Sequence, residues 1–408
     1  MNGLYLVGLG VFEGQLAPEA RECVDGATFV VFQTARAPHF RGERGWTSCD
    51  DLYDTCPDFD GLNAAVAKRL ADLCGKGSVA FCMPGTPLGK AMTCEIVQTC
   101  KKRGIPCTII PGTSYADAAL AASGCCFDRP AAAMDAIAAE GEKIDPKKPL
   151  VVCEIDSALL AGSAKLALLE YYPAEWEITL AVAEEKAYRC VRMPLFELDR
   201  QHADCYGPAT CAILPPLTFL NMERRGVDEV EELVKLLRGP GGCPWDAEQT
   251  IQSLRPTVLE EAYEVAEAID NDDDASLCEE LGDLLLQVVF LCVMAEEQGR
   301  FTLRDAASDL CAKMVYRHPH VFGDAVAKDS AAVLSAWENL KKTEKGMETQ
   351  GEVLKAVPKT LPALTRSAKV QKKAAKVGFD WDDPRDAIAK VKEEIEEFTA
   401  ELNGGSQD

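Results

Sequence analysis

Long hydrophobic runs are scarce in this chain of 408 residues. The longest strongly apolar stretch covers residues 284–295 and is interrupted by Gln287, whereas a helix that spans a membrane needs about 20 apolar residues. No basic group precedes the apolar run in the first ten residues, which predicts a first strand and not a signal peptide. We therefore expect neither a membrane partner nor export.

Positive charge is also in short supply, since 43 Lys and Arg stand against 66 Asp and Glu, a net charge of −23. This balance argues against a nucleic-acid partner bound through phosphate neutralisation. The net charge is −8 over residues 1–220 and −15 over residues 221–408, so the second part is the more acidic. A solvated helical surface accounts for most of this acidity, and a divalent-metal site would account for a local share.

Histidine is rare and the Cys-x-x-Cys motif is missing, although the chain has 18 cysteines. With only four histidines, a zinc site has few ligands to draw on. The scattered cysteines are typical of small buried side chains in a reducing compartment. We therefore expect a cytoplasmic location.

Residues 1–220 alternate short apolar runs with segments of helical spacing, which predicts an α/β domain with a mainly parallel sheet. The predicted strands are residues 3–9, 28–32, 78–83, 107–110, 150–155, 178–182 and 209–214. Glycine and proline turns follow three of them, at residues 8–10, 84–87 and 111–114. Ligands of open α/β sheets bind at such strand ends. The first turn lacks the third glycine of the dinucleotide fingerprint, so an NAD-binding domain is not expected.

The order of these segments resembles the tetrapyrrole (corrin/porphyrin) methylase family from residue 3 to about residue 216. The matching stretches are LYLVGLG, VAFCMPGTPLGKAM, CTIIPGTSYADAA, PLVVCEIDS and PLFELDR. The resemblance implies two lobes, about 1–115 and 116–220, with S-adenosylmethionine between them and a tetrapyrrole or another small methyl acceptor. The family's first turn usually reads Gly-x-Gly-Pro-Gly, and here Val11 and Phe12 replace Pro-Gly. By position, the cofactor would be lined by Gly8, Gly10, Pro84, Gly85, Pro87, Pro111, Gly112, Thr113 and Ser114.

Residues 226–345 lose the strand pattern and predict helices. One apolar stripe at helical spacing consists of Val258, Ala262, Val265 and Ile269. The next predicted helix, residues 276–298, is apolar on nearly every side. A narrow polar stripe of Glu280, Asp283 and Gln287 is set into it at positions i, i+3 and i+7.

Three glutamates on the preceding helix, Glu260, Glu261 and Glu264, can face this stripe if a short turn makes the two helices antiparallel. Taken alone, these three glutamates are typical of a solvated helix face. The acidic pair in the apolar helix favours the other interpretation, because facing carboxylates repel unless a cation lies between them. Oxygen ligands of this kind suit Mg²⁺.

The spacing E-x-x-E, fifteen residues, E-x-x-D resembles the MazG family of all-α nucleoside triphosphate pyrophosphohydrolases. GCPWDAEQT, LEEAYE, EELGDLLLQVVF, EEQGRFTL and RHPHVFGD match as well, so the whole chain resembles YabN-like fusions of a methylase domain with a MazG domain. Lys313 and Lys341, taken alone, could equally be surface lysines. The residue types and the resemblance together predict metal ligation by Glu261, Glu264, Glu280 and Asp283, a base at Glu260, phosphate contacts at Lys313, Arg317 and Lys341, and nucleotide contacts at Trp245 and Trp337.

Residues 355–408 predict a partial second MazG repeat. Residues 379–383 and 392–397 echo residues 243–246 and 259–264, but no E-x-x-D follows, so we do not expect a second active site. The basic segment 355–376 is expected to dock on its own acidic chain or on a dimer mate. The apolar helix around residues 281–293 predicts a homodimer through the MazG domain, whose family forms dimeric bundles.

The leading prediction is Mg²⁺-dependent hydrolysis of a nucleoside triphosphate to a monophosphate and pyrophosphate. One alternative is a regulatory module that binds S-adenosylmethionine or a tetrapyrrole. The other is an active tetrapyrrole methyltransferase with a non-catalytic helical C-terminal half. Pyrophosphate release, cofactor binding and methyl transfer distinguish the three.

Overall fold

The computed structural model describes residues 3–37, 39–43, 45–325, 329–344, 346–347, 349–381 and 383–404. The chain divides into two compact units, residues 1–230 and 231–408. Within the described ranges, no helix has the length and apolar character needed to cross a membrane. The finer division into 1–220, 226–345 and 355–408 stays a prediction, and residues 405–408 of the half-repeat lie outside the described residues.

The first sheet of the N-terminal unit is entirely parallel, with strand order β3-β2-β4-β1-β5. Its strands are β1 (Leu4–Gly8), β2 (Phe29–Phe32), β3 (Trp46–Ser48), β4 (Val79–Met83) and β5 (Cys107–Ile110). The helices of this part are α1 (Pro18–Gly26), α2 (Asp50–Thr55), α3 (Phe59–Cys74) and α4 (Ala91–Arg103). Because β1 lies between β4 and β5, the turns that follow these three strands meet at one edge of the sheet.

The second sheet is mixed, with order β6-β7-β10-β8-β9. Its elements are α5 (Tyr115–Ser123), β6 (Ala132–Asp135), β7 (Leu150–Cys153), α6 (Ala158–Leu168), β8 (Glu177–Ala183), β9 (Tyr188–Pro194) and β10 (Cys211–Leu214). Only β6 and β7 pair in parallel. The expectation of a mainly parallel sheet is therefore correct for the first sheet and wrong for the second, where β8 and β9 form a hairpin, which needs only a short connection.

Three strands were not expected from the sequence. β3 has only three residues and β6 is rich in alanine, a weak strand former. β9 is an edge strand that carries Arg189 and Arg192, and charged residues are common on edges because they prevent pairing with other chains. Each of these strands pairs along its whole length with a neighbouring strand, a contact that its own sequence pattern does not indicate.

The second unit is helical, and no strand follows β10 among the residues that the structure describes. Its helices are α7 (Val227–Arg238, which crosses the unit boundary), α8 (Pro244–Glu248), α9 (Arg255–Asp270), α10 (Asp274–Glu297), α11 (Leu303–Arg317), α12 (Pro319–Phe322), α13 (Ser330–Glu344), α14 (Gln350–Lys355), α15 (Ala363–Ala375) and α16 (Pro384–Gly404). A three-residue turn joins α9 to α10, as expected, and the Asp273 side chain accepts hydrogen bonds from the first amides of α10. Most of the second half of α10 is buried, including Val289, Phe290 and Val293, although Val288 is exposed.

Candidate functional site

Three of the five acidic residues predicted for the site on α9 and α10 come together. One carboxylate oxygen from each of Glu261, Glu264 and Glu280 lies within 4.8 Å of the others. Asp283 lies one turn beyond Glu280 and is exposed; it is not part of that closest group. Glu260 is exposed and also lies outside the group.

Mutual repulsion in this acidic cluster is visible in two of its carboxyl groups. Burial, then the charges of Asp283 and Glu264, raises the pKa of Glu261. Burial, then Glu264, Glu279 and Asp283, raises the pKa of Glu280. Asp283 therefore acts on the cluster from close range. An arrangement that holds like charges together is stabilised when a cation binds them.

The cluster fits a hard divalent cation such as Mg²⁺. Its donors are carboxylate oxygens, the ligands that Mg²⁺ prefers. At its inner end lies the buried amide of Gln287, whose oxygen has no hydrogen-bond partner and whose nitrogen lies 3.5 Å from Oε1 of Glu261. The side chains therefore provide both the charge and the polarity that a bound ion needs.

We expect Mg²⁺ to raise the melting temperature more at about pH 7.5 than at about pH 5. Because folding raises the carboxyl pKa of Glu261 and Glu280 above the ordinary value of 4.5, their contribution to apo-protein stability is present below that value and is lost as pH rises through the raised values. Mg²⁺ binds the deprotonated groups and removes this loss. Differential scanning fluorimetry at both pH values measures the effect, and an equal shift at both would contradict it.

A second group of predicted residues gathers where α11 meets α13. The Arg317 guanidinium is buried and donates from Nε and a terminal nitrogen to Oε2 of Glu344, at 2.8 and 2.7 Å. It also lies 5.2 Å from the ring centre of Trp337, and the Lys341 ammonium lies 4.9 Å from the same ring. Both cations thus lie over the electron-rich ring of Trp337.

Glu344 was missed in the sequence, although the signal was present. Trp337, Lys341 and Glu344 are spaced i, i+4 and i+7 and therefore share one face of α13. Lys313 lies one turn before Arg317 on α11 and is half-buried. The predicted phosphate-binding residues are therefore on two neighbouring helices, with Arg317 already paired to a carboxylate.

Trp245 lies in the short helix α8 and is exposed. The segment around it is anchored by Arg238, which donates to the backbone carbonyls of Asp246 and Gln249 at 2.6 and 3.3 Å. The same guanidinium pairs with Glu297 of α10 at 2.7 Å. Arg238 therefore attaches the segment that carries Trp245 to the helix that carries Glu280.

In the N-terminal unit, the predicted turns meet where β1, β4 and β5 end. Gly10 and Gly85 exchange two backbone hydrogen bonds of 3.0 and 2.9 Å, and Gly10 has a positive φ of 72° that glycine tolerates. A Cβ on Gly8 would overlap the backbone of Gly112. Ser114 caps α5 by accepting from the amide of Asp117. Pro84, Pro87, Pro111 and Thr113 lie in the same turns.

Val11 and Phe12, which replace the Pro-Gly of the methylase pattern, are accommodated in the turn that follows β1. The amides of Val11 and Phe12 both donate to Oε1 of Gln15, at 2.7 and 3.2 Å. Phe12 packs edge-on against Tyr188 of the second lobe, with ring centres 5.2 Å apart. The backbone N–H groups of Val11 and Phe12 therefore have hydrogen-bond acceptors within the protein.

A second link between the lobes joins Lys90 to Glu154 at 2.6 Å. Glu154 has a φ of 60°, a strained conformation that often marks functional sites in non-glycine residues. Lys90 also lies 5.4 Å from the ring centre of Tyr115. Burial, then the Glu154 charge, raises the pKa of Asp135. The Lys90–Glu154 pair thus lies beside Tyr115, which directly follows the turn at residues 111–114. Backbone amides and charged side chains of this kind are chemically compatible with a small polar cofactor such as S-adenosylmethionine.

Comparison with known proteins matches two family models. The model of tetrapyrrole (corrin/porphyrin) methylases matches residues 3–181, and the model of the MazG nucleotide pyrophosphohydrolase domain matches residues 249–322. A crystal structure of uroporphyrin-III C-methyltransferase from Thermus thermophilus aligns with a TM-score of 0.42 and 20% identity, covering 52% of this chain and 94% of that chain.

Three relatives match at higher identity. Protein YabN of Bacillus subtilis is 36% identical over 79% of this chain and 66% of its own length. The nucleoside triphosphate pyrophosphohydrolase of Escherichia coli is 46% identical over 43% of this chain and 67% of its own length. The MazG pyrophosphohydrolase of Thermotoga maritima is 42% identical over 43% and 68%. The matches thus span about two thirds of each relative.

Fold and site together define a protein in which a two-lobed α/β methylase-like domain precedes an all-α domain with a carboxylate cluster. The chain belongs to the MazG nucleotide pyrophosphohydrolase family and carries a tetrapyrrole methylase domain ahead of its MazG domain. The expected YabN-like fusion is confirmed.

Proposed function

We propose that the helical unit hydrolyses nucleoside triphosphates to monophosphates and pyrophosphate with Mg²⁺. The observation that carries this proposal is the convergence of Glu261, Glu264 and Glu280 within 4.8 Å, inside the segment that matches the MazG model. Asp283 completes the predicted ligand set. When bound by these four residues, Mg²⁺ would neutralise triphosphate charge and lower the pKa of a bound water.

The other side chains have separate roles in this proposal. Glu260, next to the cluster and exposed to solvent, accepts the proton of the attacking water. Lys313 and Lys341 attract the phosphates, and Arg317 binds them in exchange for part of its contact with Glu344. Trp245 and Trp337 hold the nucleoside by stacking, because an aromatic ring accepts the face of any base.

Product analysis tests this function. Purified protein is incubated with a panel of nucleoside triphosphates and Mg²⁺, and the products are separated by ion-exchange chromatography. We expect equal amounts of monophosphate and pyrophosphate. Release of orthophosphate and a nucleoside diphosphate would show cleavage between the β- and γ-phosphates and would overturn the proposal.

We also propose that the helical unit is a homodimer. Several apolar side chains of α9 and α10 are exposed beside the cluster, including Leu259, Tyr263, Leu281 and Val288, and an apolar surface of this kind is typical of an interface. Light scattering at micromolar concentration is expected to give twice the chain mass. Leu281→Glu should give monomers, whereas the control Leu159→Glu, an exposed leucine of α6, should remain dimeric. A wild-type monomer would contradict the prediction.

As a second function, we propose that the N-terminal unit binds S-adenosylmethionine. The methylase-family match supports it, and the strained backbone of Glu154 beside Lys90 and Tyr115 favours a functional site there. Calorimetric titration with S-adenosylhomocysteine tests it, and absence of binding would remove it. The methyl acceptor, a tetrapyrrole or another small molecule, would be identified by assaying methyl transfer from labelled S-adenosylmethionine. We also propose a cytoplasmic location, because all the cysteines are free thiols, as is typical of proteins in a reducing compartment.

A further inference from the structure

Gln287 lies in an environment where an amide is costly. It is 8% exposed and is set into the apolar helix α10, next to the buried Val289 and Phe290. Its Oε1 is buried without a hydrogen-bond partner. A buried amide that is only half satisfied destabilises a fold, so a side chain of this kind needs a reason other than packing.

The other end of the amide points to that reason. Nε2 of Gln287 lies 3.5 Å from Oε1 of Glu261, and within the described residues the Gln287 side chain makes no other hydrogen bond. Gln287 follows Asp283 by one turn and Glu280 by two, so it shares their face of α10. The amide therefore lies at the inner end of the acidic cluster, against one of its three converging members.

The type of side chain suits a neighbour of a cation site. A lysine or arginine here would pair with Glu261 and compete with the metal for its charge. A glutamate would add another negative charge to a group that already repels itself. A neutral donor fixes the direction of the carboxylate and leaves its charge available. Such partners of metal ligands typically change metal affinity 10- to 100-fold when they are removed.

We infer that Gln287 is a positioning residue that holds Glu261 in the orientation required for divalent-cation binding. This inference rests on the proposed function, since it concerns the same carboxylates. It adds to that function a residue outside the E-x-x-E and E-x-x-D motifs. It also explains why an apolar helix contains a buried polar group that is detrimental to its own packing.

The experiment measures metal affinity and stability separately. Mn²⁺ is used as the probe, with the free ion followed by electron paramagnetic resonance, and melting temperatures are recorded without metal. In Gln287→Met the side-chain length is kept while the donor is lost. We expect Mn²⁺ to bind about tenfold more weakly, and the metal-free melting temperature to stay equal or to rise, because an unsatisfied buried acceptor is removed.

Val289→Ala is the matched control, since it creates a cavity two residues away on the same helix. It should lower the melting temperature while the Mn²⁺ affinity stays within twofold of wild type. Three results would overturn the inference: an unchanged affinity in folded Gln287→Met, an equal loss of affinity in Val289→Ala, or no Mn²⁺ binding by the wild type. If the wild type binds Mn²⁺ and Gln287→Met weakens it, but no pyrophosphate is released, the inference stands and the proposed function fails.

Discussion

Replacement of Glu264 by glutamine is expected to lower pyrophosphate release at least about 100-fold, because one of the proposed metal ligands loses its charge. Glu264 lies within 4.8 Å of the other two members of the cluster, and its charge helps to raise the pKa of both Glu261 and Glu280. An amide keeps the size of the side chain but is a weaker ligand for a hard cation. Initial rates at saturating Mg²⁺ measure the loss.

The same substitution should not harm the metal-free fold. Removing one of three facing negative charges relieves repulsion, so the melting temperature without Mg²⁺ should stay equal or rise, while the stabilisation by Mg²⁺ disappears. The control is Glu267→Gln, an exposed glutamate one turn further along α9 and outside the cluster, which should retain full activity. Full activity in Glu264→Gln would show that the carboxylate cluster is not the active site.

The acidic cluster could be predicted because its geometry is local. Glu261 and Glu264 share a helix face through their spacing, and the three-residue turn brings α10 back alongside α9. Gln287 belongs to the same periodic stripe, yet its burial depends on how α10 packs in the folded chain. The motif alone could therefore place this side chain but could not show that its oxygen is unpaired.

Contacts between distant segments could not be predicted. The pair of Lys90 and Glu154 joins residues 64 positions apart, and neither side chain has a local pattern that indicates the other. The positive φ of Glu154 is equally invisible in the sequence, since glutamate has no preference for that conformation. The second sheet shows the same limit, because strand direction depends on how the connections between strands fold back.

Loss of Glu344 is expected to destabilise the helical unit by about 2 kcal/mol, because it leaves the buried Arg317 guanidinium without its carboxylate. Part of the charge stays stabilised by the ring of Trp337, which keeps the cost below that of a fully isolated buried charge. Urea unfolding of Glu344→Ala measures the change in the free energy of unfolding. Glu267→Ala, at an exposed site on α9, is the control and should cost less than about 0.5 kcal/mol.

A double variant separates the two roles of Arg317, as a link between helices and as a phosphate ligand. Arg317→Met combined with Glu344→Leu replaces the ion pair by apolar side chains, which often restores stability. We expect the free energy of unfolding to return close to the wild-type value while pyrophosphate release stays at least about tenfold reduced, since methionine offers no charge to the phosphates. If the double variant is stable and hydrolyses triphosphates at the wild-type rate, Arg317 contributes to stability and not to phosphate binding. Phosphate binding would then depend on Lys313 and on Lys341, whose ammonium lies over the same tryptophan.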